Sequence, residues 1–271
     1  MSAIKPDLFG NVLKVWRKQR RMSQLDLASE AAISTRHLSF LETGRARPSR
    51  DMVLHLSECL DVPLRERNAM LIAGGFAPIY AEHDLGTEQS AAIRAAVDRI
   101  LTAHEPYPAL AMDRHWNMVA ANRIVPLLIG GVDPEFLRLP VNILRLSLHP
   151  NGLAPRVVNY VEWRNHLLDR LRRQIAVTAD VKLRGLYDEV SRYRAPANAG
   201  EPGAADGAGD LSGLVVPLVL QSDAGELRFV STTTVFGTPV EVTLSELAIE
   251  TLLPADTQTA ATLRGLAADL R

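Results

Sequence analysis

The sequence predicts an α+β protein of two domains, an all-helical N-terminal unit followed by an antiparallel sheet with helices. Three observations predict it. Over residues 8–73, apolar positions recur at helical spacing and are punctuated by capping residues. Beyond about residue 105 the texture shifts to short strand-like runs separated by turns. The 271 residues, 47% hydrophobic and 23% charged, suffice for two packed cores and exceed one small domain.

Five short helices are expected in the first domain, residues 1–80. Phe9, Val12, Leu13 and Trp16 form an i, i+3, i+4, i+7 stripe. Ser23 opens a second helix, with Asp26 three residues on as in a capping box and Leu25, Leu27 and Ala28 as apolar positions. Ala31, Ala32 and Ile33 end it. Ser34 caps a third helix carrying Leu38 and Leu41 inward, and Gly44 stops it. Ser49, after Pro48, caps a fourth with Met52, Val53, Leu56 and Leu60. Pro63 begins a fifth that runs to about Ala73 and closes at Gly74 and Gly75.

Residues 81–104 read as a connector with a helix over 88–103. In the second domain, residues 105–271, strands are expected at 109–112 and 117–121 around a turn at 113–116, with Asn122 placed to cap a helix. Further helices fit 141–148, 157–177 and 180–193. The stretch 195–213 holds five Gly, two Pro and six Ala and reads as a flexible loop. Strand-like runs at 214–221, 226–235 and 241–253 follow, the first two joined by a hairpin turn at 223–226. Asp256 caps a last helix to about Leu270. No internal repeat is present.

Charge and cysteine content exclude several classes. Residues 1–80 carry a net +4, whereas the remainder carries −5, so only the head is suited to a polyanion. Cys59 is the only cysteine, which leaves no disulfide framework or thiolate-rich metal site, and its apolar surroundings suggest a buried structural thiol. The N-terminus lacks the apolar core of a signal peptide, and no uncharged stretch approaches the ~20 residues that span a bilayer. A cytoplasmic protein without a membrane partner is expected.

The informative run is Arg17, Arg21, Ser23, Gln24, Leu27, Ala28, Ile33, Ser34, Leu38, Ser39, Leu41, Glu42, Gly44, Arg45, Pro48 and Ser49 at their given spacings. Two helices joined by a three- or four-residue turn, each with an apolar inner face, leave the second protruding. A protruding helix fits a major groove about 12 Å wide, with its N-terminal residues at the base edges. These residues resemble the lambda-repressor-like helix-turn-helix of the XRE family. The resemblance implies a DNA-binding transcriptional regulator with double-stranded DNA as partner, acting as a homodimer.

It also implies roles. Gln24 begins the second helix, touches a phosphate and braces the recognition helix. Thr35, Arg36 and Phe40 take the solvent-facing recognition positions, with Ser34, His37 and Ser39 beside them. Arg36 suits guanine O6 and N7; Phe40 either packs on a thymine methyl or folds back onto helix four. Arg45 contacts the backbone, adding affinity without sequence information. Arg17 and Glu42 form a structural ion pair tying helix one to the end of helix three.

No catalytic signature is legible in the second domain: no nucleophile elbow, no Walker loop and no Gly-x-Gly-x-x-Gly after a strand. The seven histidines show no metal-ligand spacing, and the hydroxyl cluster Ser231, Thr232, Thr233 and Thr234 reads as strand propensity. Neither enzymatic activity nor a cofactor is expected. The runs Met112 to Asn122, Asn142 to Arg145 with His149 and Pro150, and Gly225 to Leu247 continuing to Asp256 resemble the PAS-like ligand-binding domain of MmyB-like regulators. That resemblance implies a pocket for a small apolar ligand, a bound fatty acid or similar, between sheet and helices. The candidate lining is Leu110, Met112, Trp116, Met118, Leu144, Phe229 and Phe236, with Tyr160, Trp163 and Arg164 as a polar end. Such apolar residues more often form ordinary core than a pocket, and Arg164 reads equally as a solvated surface residue. The alternative is a domain that serves only dimerisation or protein contact.

Overall fold

The computed structural model describes residues 7–83, 85–197, 199, 215–237 and 239–270. Of the flexible loop expected over 195–213, all but residues 195–197 and 199 lie outside the described residues. The chain divides into two units, one of Met1–His83 with Ala176–Thr178 and Thr238–Ser245, the other of Asp84–Ile175, Ala179–Gly237 and Glu246–Arg271.

The first unit carries α1 (Asp7–Gln19), α2 (Gln24–Glu30), α3 (Thr35–Glu42), α4 (Arg50–Cys59) and α5 (Leu64–Ala73). Each of the three expected serine starts has its cap, while α5 begins after Pro63 without a side-chain cap. Ser23 Oγ accepts from the Asp26 N–H at 3.1 Å while Asp26 Oδ2 accepts from the Ser23 N–H at 2.8 Å, the reciprocal arrangement that satisfies two orphan donors. Ser34 and Ser49 accept from the His37 and Met52 N–H groups in the same way. The inward stripes Phe9, Leu13, Trp16, Leu27, Ala28, Leu38, Leu41, Val53, Leu56 and Leu60 meet in one buried cluster with Met70 and Leu71.

Helix α1 passes close to the end of α3 at a glycine. A Cβ on Gly10 would stand 2.5 Å from the Glu42 carbonyl oxygen and 2.6 Å from that of Leu41. Helix propensity alone favours alanine there by about 1 kcal/mol, but backbone atoms cannot yield as a flexible side chain would. Gly10→Ala is therefore expected to destabilise the first unit by about 1–3 kcal/mol, the usual cost of overpacking. Denaturant titration checks the sign: a stabilised variant would show that the helices part freely.

The second unit carries α6 (Ala91–Ala103), β1 (Ala109–Met112), β2 (Met118–Ala121), α7 (Val125–Ile129), α8 (Ile143–Leu148), α9 (Tyr160–Thr178), α10 (Val181–Val190), β3 (Leu218–Ser222), β4 (Gly225–Val235), α11 (Val242–Ser245), β5 (Ala248–Pro254) and α12 (Thr257–Ala268), with α11 and the end of α9 counted in the first unit. All strand pairs are antiparallel, in the order β2-β1-β5-β4-β3. This is the expected PAS-like arrangement of sheet and helices. The β3–β4 hairpin turns where expected, with Gly225 at φ +102°, a conformation only glycine adopts without strain.

Two expectations change. The run 241–253 is not one strand but the single turn α11 followed by β5. Asn122 does not cap a helix: its Oδ1 accepts from the Ala109 and Ile124 N–H groups, and its Nδ2 donates to the carbonyls of Leu101 and Tyr107. The buried amide thus closes the backbone around the start of β1, and α7 begins three residues later.

Candidate functional site

The turn over 31–34 separates α2 from α3, so the two helices and their turn have the geometry expected of the motif. One face of α3 is fixed by burial: Leu38 is 0% exposed and Leu41 1%. The opposite face begins with Ser34, Thr35 and Arg36, all exposed, and continues with His37, Ser39 and Phe40, half-buried. Phe40 stands outside the apolar cluster of the first unit, so it does not fold back into the core. Instead the guanidinium of Arg36 lies 5.3 Å from its ring centre and that of Arg45 6.0 Å. Such stacking restrains both cations at the surface.

Below this surface α3 is anchored by a buried triad. Arg17 Nε donates to Glu42 Oε1 at 2.6 Å and Nη2 to Oε2 at 3.0 Å, a bidentate pair between α1 and the end of α3. Gln24 Nε2 donates to Glu42 Oε2 at 2.7 Å, so the glutamine expected to brace the recognition helix makes that contact directly. Burial opposes ionisation of Glu42, but hydrogen bonds from Arg17 and Gln24 outweigh it and hold the carboxyl below the usual carboxylate range.

Because Arg17 is spent internally, the surface charge comes from other arginines. Arg36 and Arg45 face solvent with no carboxylate partner among the described residues, and so do Arg47, on the segment leading into α4, and Arg50, the first residue of α4. The last two were absent from the expected set, although the spacing of four arginines over 36–50 was visible in the sequence.

In the second unit, Met112, Trp116, Leu144, Tyr160, Trp163 and Phe229 join one buried cluster, with Leu110 packed against it. Met118 belongs elsewhere, against Val132, Val141 and Leu146. Phe236, just beyond β4, is half-buried and in neither cluster. Arg164 donates from Nη2 to the Ser191 carbonyl at 2.6 Å, and its buried Nε–H has no acceptor among the described residues. The structure thus brings together seven of the ten expected lining residues, keeps the Arg164 head beside Tyr160, and sets Met118 and Phe236 apart.

Sequence reasoning missed a charged group on the same sheet face. Glu250, on the central strand β5, is 7% exposed. Its Oε2 accepts from Arg170 Nη1 at 2.8 Å and its Oε1 from Ser231 Oγ at 2.6 Å, while Arg170 Nη2 donates to Thr233 Oγ1 at 2.7 Å. The Arg170 guanidinium lies 4.8 Å from the Trp116 ring centre. Trp116 is fixed in turn: it sits at φ +67°, in a turn whose Asp113 carboxylate accepts from the His115 and Asn117 N–H groups, and its Nε1 donates to Gln174 Oε1. Burial and the Arg170 charge hold the nearby His166 imidazole below the usual histidine range. The available signal was a lone carboxylate inside an apolar strand.

Among the described residues no group of three His, Cys, Asp or Glu could hold a metal, and no helix is long and apolar enough to cross a membrane.

Comparison with known proteins gives two family matches. Residues 93–266, more than half of the chain, match the family described as the MmyB-like transcription regulator ligand binding domain, and residues 13–67 match the helix-turn-helix family. The first match sets against a second domain that serves dimerisation alone. No curated protein matches. Among solved structures, the chain is similar to one described as an RNA-binding light-oxygen-voltage receptor, at 12% identity and a TM-score of 0.29. The alignment covers 97% of this chain and 64% of that one.

Proposed function

This chain belongs to the MmyB-like transcription regulators, a helix-turn-helix DNA-binding head joined to a ligand-binding domain, and on that premise we propose that α3 reads base edges in the major groove and that a small apolar ligand tunes the affinity. One observation carries the first half: α3 buries Leu38 and Leu41 while Thr35 and Arg36 are exposed at its start, with half-buried Phe40 beneath the Arg36 guanidinium and further arginines that have no carboxylate partner among the described residues. Thr35 and Arg36 sit where base edges lie in docked helices of this kind, and Ser34, His37 and Ser39 flank them. Gln24, held by Glu42, retains one amide hydrogen for a phosphate.

Arg45 lies beyond the helix and serves the backbone. Arg45→Ala is expected to weaken cognate and scrambled duplexes alike and to lower the salt slope of log K by about 1. Fluorescence anisotropy over a salt series measures both quantities. A loss confined to the cognate duplex would assign Arg45 to base reading instead.

The apolar face formed by Leu110, Met112, Trp116, Leu144, Tyr160, Trp163 and Phe229 supports an apolar ligand such as a fatty acid in the second domain. A ligand shifts DNA affinity only through unequal affinity for two states of the protein. Two heads on a two-fold operator, half-sites one helical turn apart, fit the size of a single head, so the DNA-bound form is a homodimer in this reading. Mass spectrometry of the solvent extract of purified protein tests the ligand. A stoichiometric amphipathic lipid is the expected result, and an empty extract together with a melting temperature unmoved by fatty acids would overturn it.

A further inference from the structure

The aromatic ring on the outer face of α3 takes no part in the core. Phe40 is half-buried and stands apart from the buried cluster of the first unit. Two exposed cations flank it instead, the Arg36 guanidinium 5.3 Å from the ring centre and that of Arg45 6.0 Å away. Local backbone dictates both placements. Arg36 and Phe40 are four residues apart on one helix, so their side chains share a face. Past the helix end the Arg45 and Ala46 N–H groups both donate to the Phe40 carbonyl, at 2.9 and 3.1 Å. Those bonds fold the chain back and bring Arg45 to the same ring.

A phenyl ring on a groove-facing helix finds one kind of apolar partner there. Base edges in the major groove are hydrogen-bond donors and acceptors, and the exception is the methyl on C5 of thymine. Cytosine carries hydrogen at the same carbon, and methylation of it supplies the thymine-like group without changing the base pairing. The distance to Arg36 says which pyrimidine is met. When Arg36 forks O6 and N7 of a guanine, its guanidinium lies in the plane of that base. A ring centre 5.3 Å from the guanidinium falls short of two base-pair steps, about 6.8 Å, so the ring reaches the adjoining pair. In that neighbourhood the pyrimidine 5′ to the guanine holds its C5 beside the O6 and N7 edge.

We propose that Arg36 and Phe40 together read a C5-methylated pyrimidine followed by guanine, so that the head accepts thymine–guanine and 5-methylcytosine–guanine steps and disfavours unmethylated cytosine–guanine. This rests on the base-reading assignment of α3 above and adds to it the dinucleotide and its methylation state. Arg36 supplies the hydrogen bonds that select guanine, and Phe40 supplies the dry surface that selects the methyl. The flanking cations restrain the ring before DNA arrives, so less rotamer freedom is lost on docking and more of the methyl contact appears as affinity. Cytosine methylation within an operator is then a signal that the head itself detects.

The test uses the full chain and the duplex recovered by selecting bound fragments from genomic DNA, with fluorescence anisotropy as readout. 7-Deazaguanine, which lacks the N7 acceptor, is placed at each guanine in turn. The guanine at which it weakens wild type but not Arg36→Ala is the one that Arg36 reads. Uracil in place of the thymine 5′ to that guanine deletes one methyl, and should weaken binding about 3- to 10-fold, the worth of one buried methyl. With cytosine at that position binding should be weak, and 5-methylcytosine should recover the same factor. In Phe40→Ala, with folding checked by circular dichroism, both methyl effects should vanish. Methyl effects that persist in Phe40→Ala would overturn the proposal and leave guanine reading by Arg36 standing. So would a wild type indifferent to the methyl at that step, or a selected site in which the guanine follows a purine. Absence of any guanine that responds to Arg36 would overturn the base-reading assignment, and the methyl reading with it.

Discussion

Replacing Arg17 with alanine is expected to destabilise the helical head by about 3–5 kcal/mol, the cost of leaving one member of a buried pair without its partner. The carboxylate left behind, Glu42, is 7% exposed and would keep only the Gln24 amide. Small domains hold about 5–15 kcal/mol of stability in total, so the loss is a large share of what the head has. Hydrogen exchange at the amides of α1 and α3 reads the head separately from the other unit. A loss below about 1 kcal/mol, the range of an exposed pair, would contradict the buried assignment. The pair also fixes a pH dependence. The folded-state value of Glu42 is depressed below its ordinary 4.5, so its contribution is present above that value and is lost as pH falls through the folded one. The gap in stability between wild type and Glu42→Gln should therefore be full near neutral pH and shrink below about pH 4.5.

The second large effect falls on recognition. Arg36→Ala is expected to cost about 1–3 kcal/mol against the cognate duplex and to relax preference at one base position, because a bidentate guanidinium distinguishes guanine from the other bases by that amount. Arg36 sits over the Phe40 ring, so Phe40→Ala should loosen the same discrimination by freeing the arginine as well as removing an apolar contact. Binding to a panel of single-base variants measures both. Equal losses on cognate and scrambled DNA would remove Arg36 from base reading.

The head was largely legible because several local signals coincide on the same residues. Ser23, Ser34 and Ser49 each stand just ahead of a stretch with helical apolar spacing, and the structure uses all three side chains as caps one residue before a helix. The Arg17–Glu42 pair, 25 residues apart, had no local signal and came from the family resemblance alone. The second unit was less legible because its decisive contacts are long-range. Asn122 satisfies backbone groups as far back as Leu101, and its adjacency to an apolar run mimicked a helix cap. Val242, Thr243, Leu244 and Ser245 have strand-like composition, yet they form one helical turn that neither periodicity nor propensity separates from the strand that follows. Helix α7, five residues with a proline near its start, is too short to display a 3.6-residue period. Arg170 and Glu250 are 80 residues apart, and only the register of β5 against β4 and the placement of α9 bring them together.

The most direct measurement is a backbone and side-chain chemical-shift map of the protein titrated with the duplex recovered by selecting bound fragments from genomic DNA. The account predicts the largest changes at Thr35, Arg36 and Phe40, with Arg45 shifting on cognate and scrambled duplexes alike. Shifts that spare these residues while appearing elsewhere in the chain would contradict it.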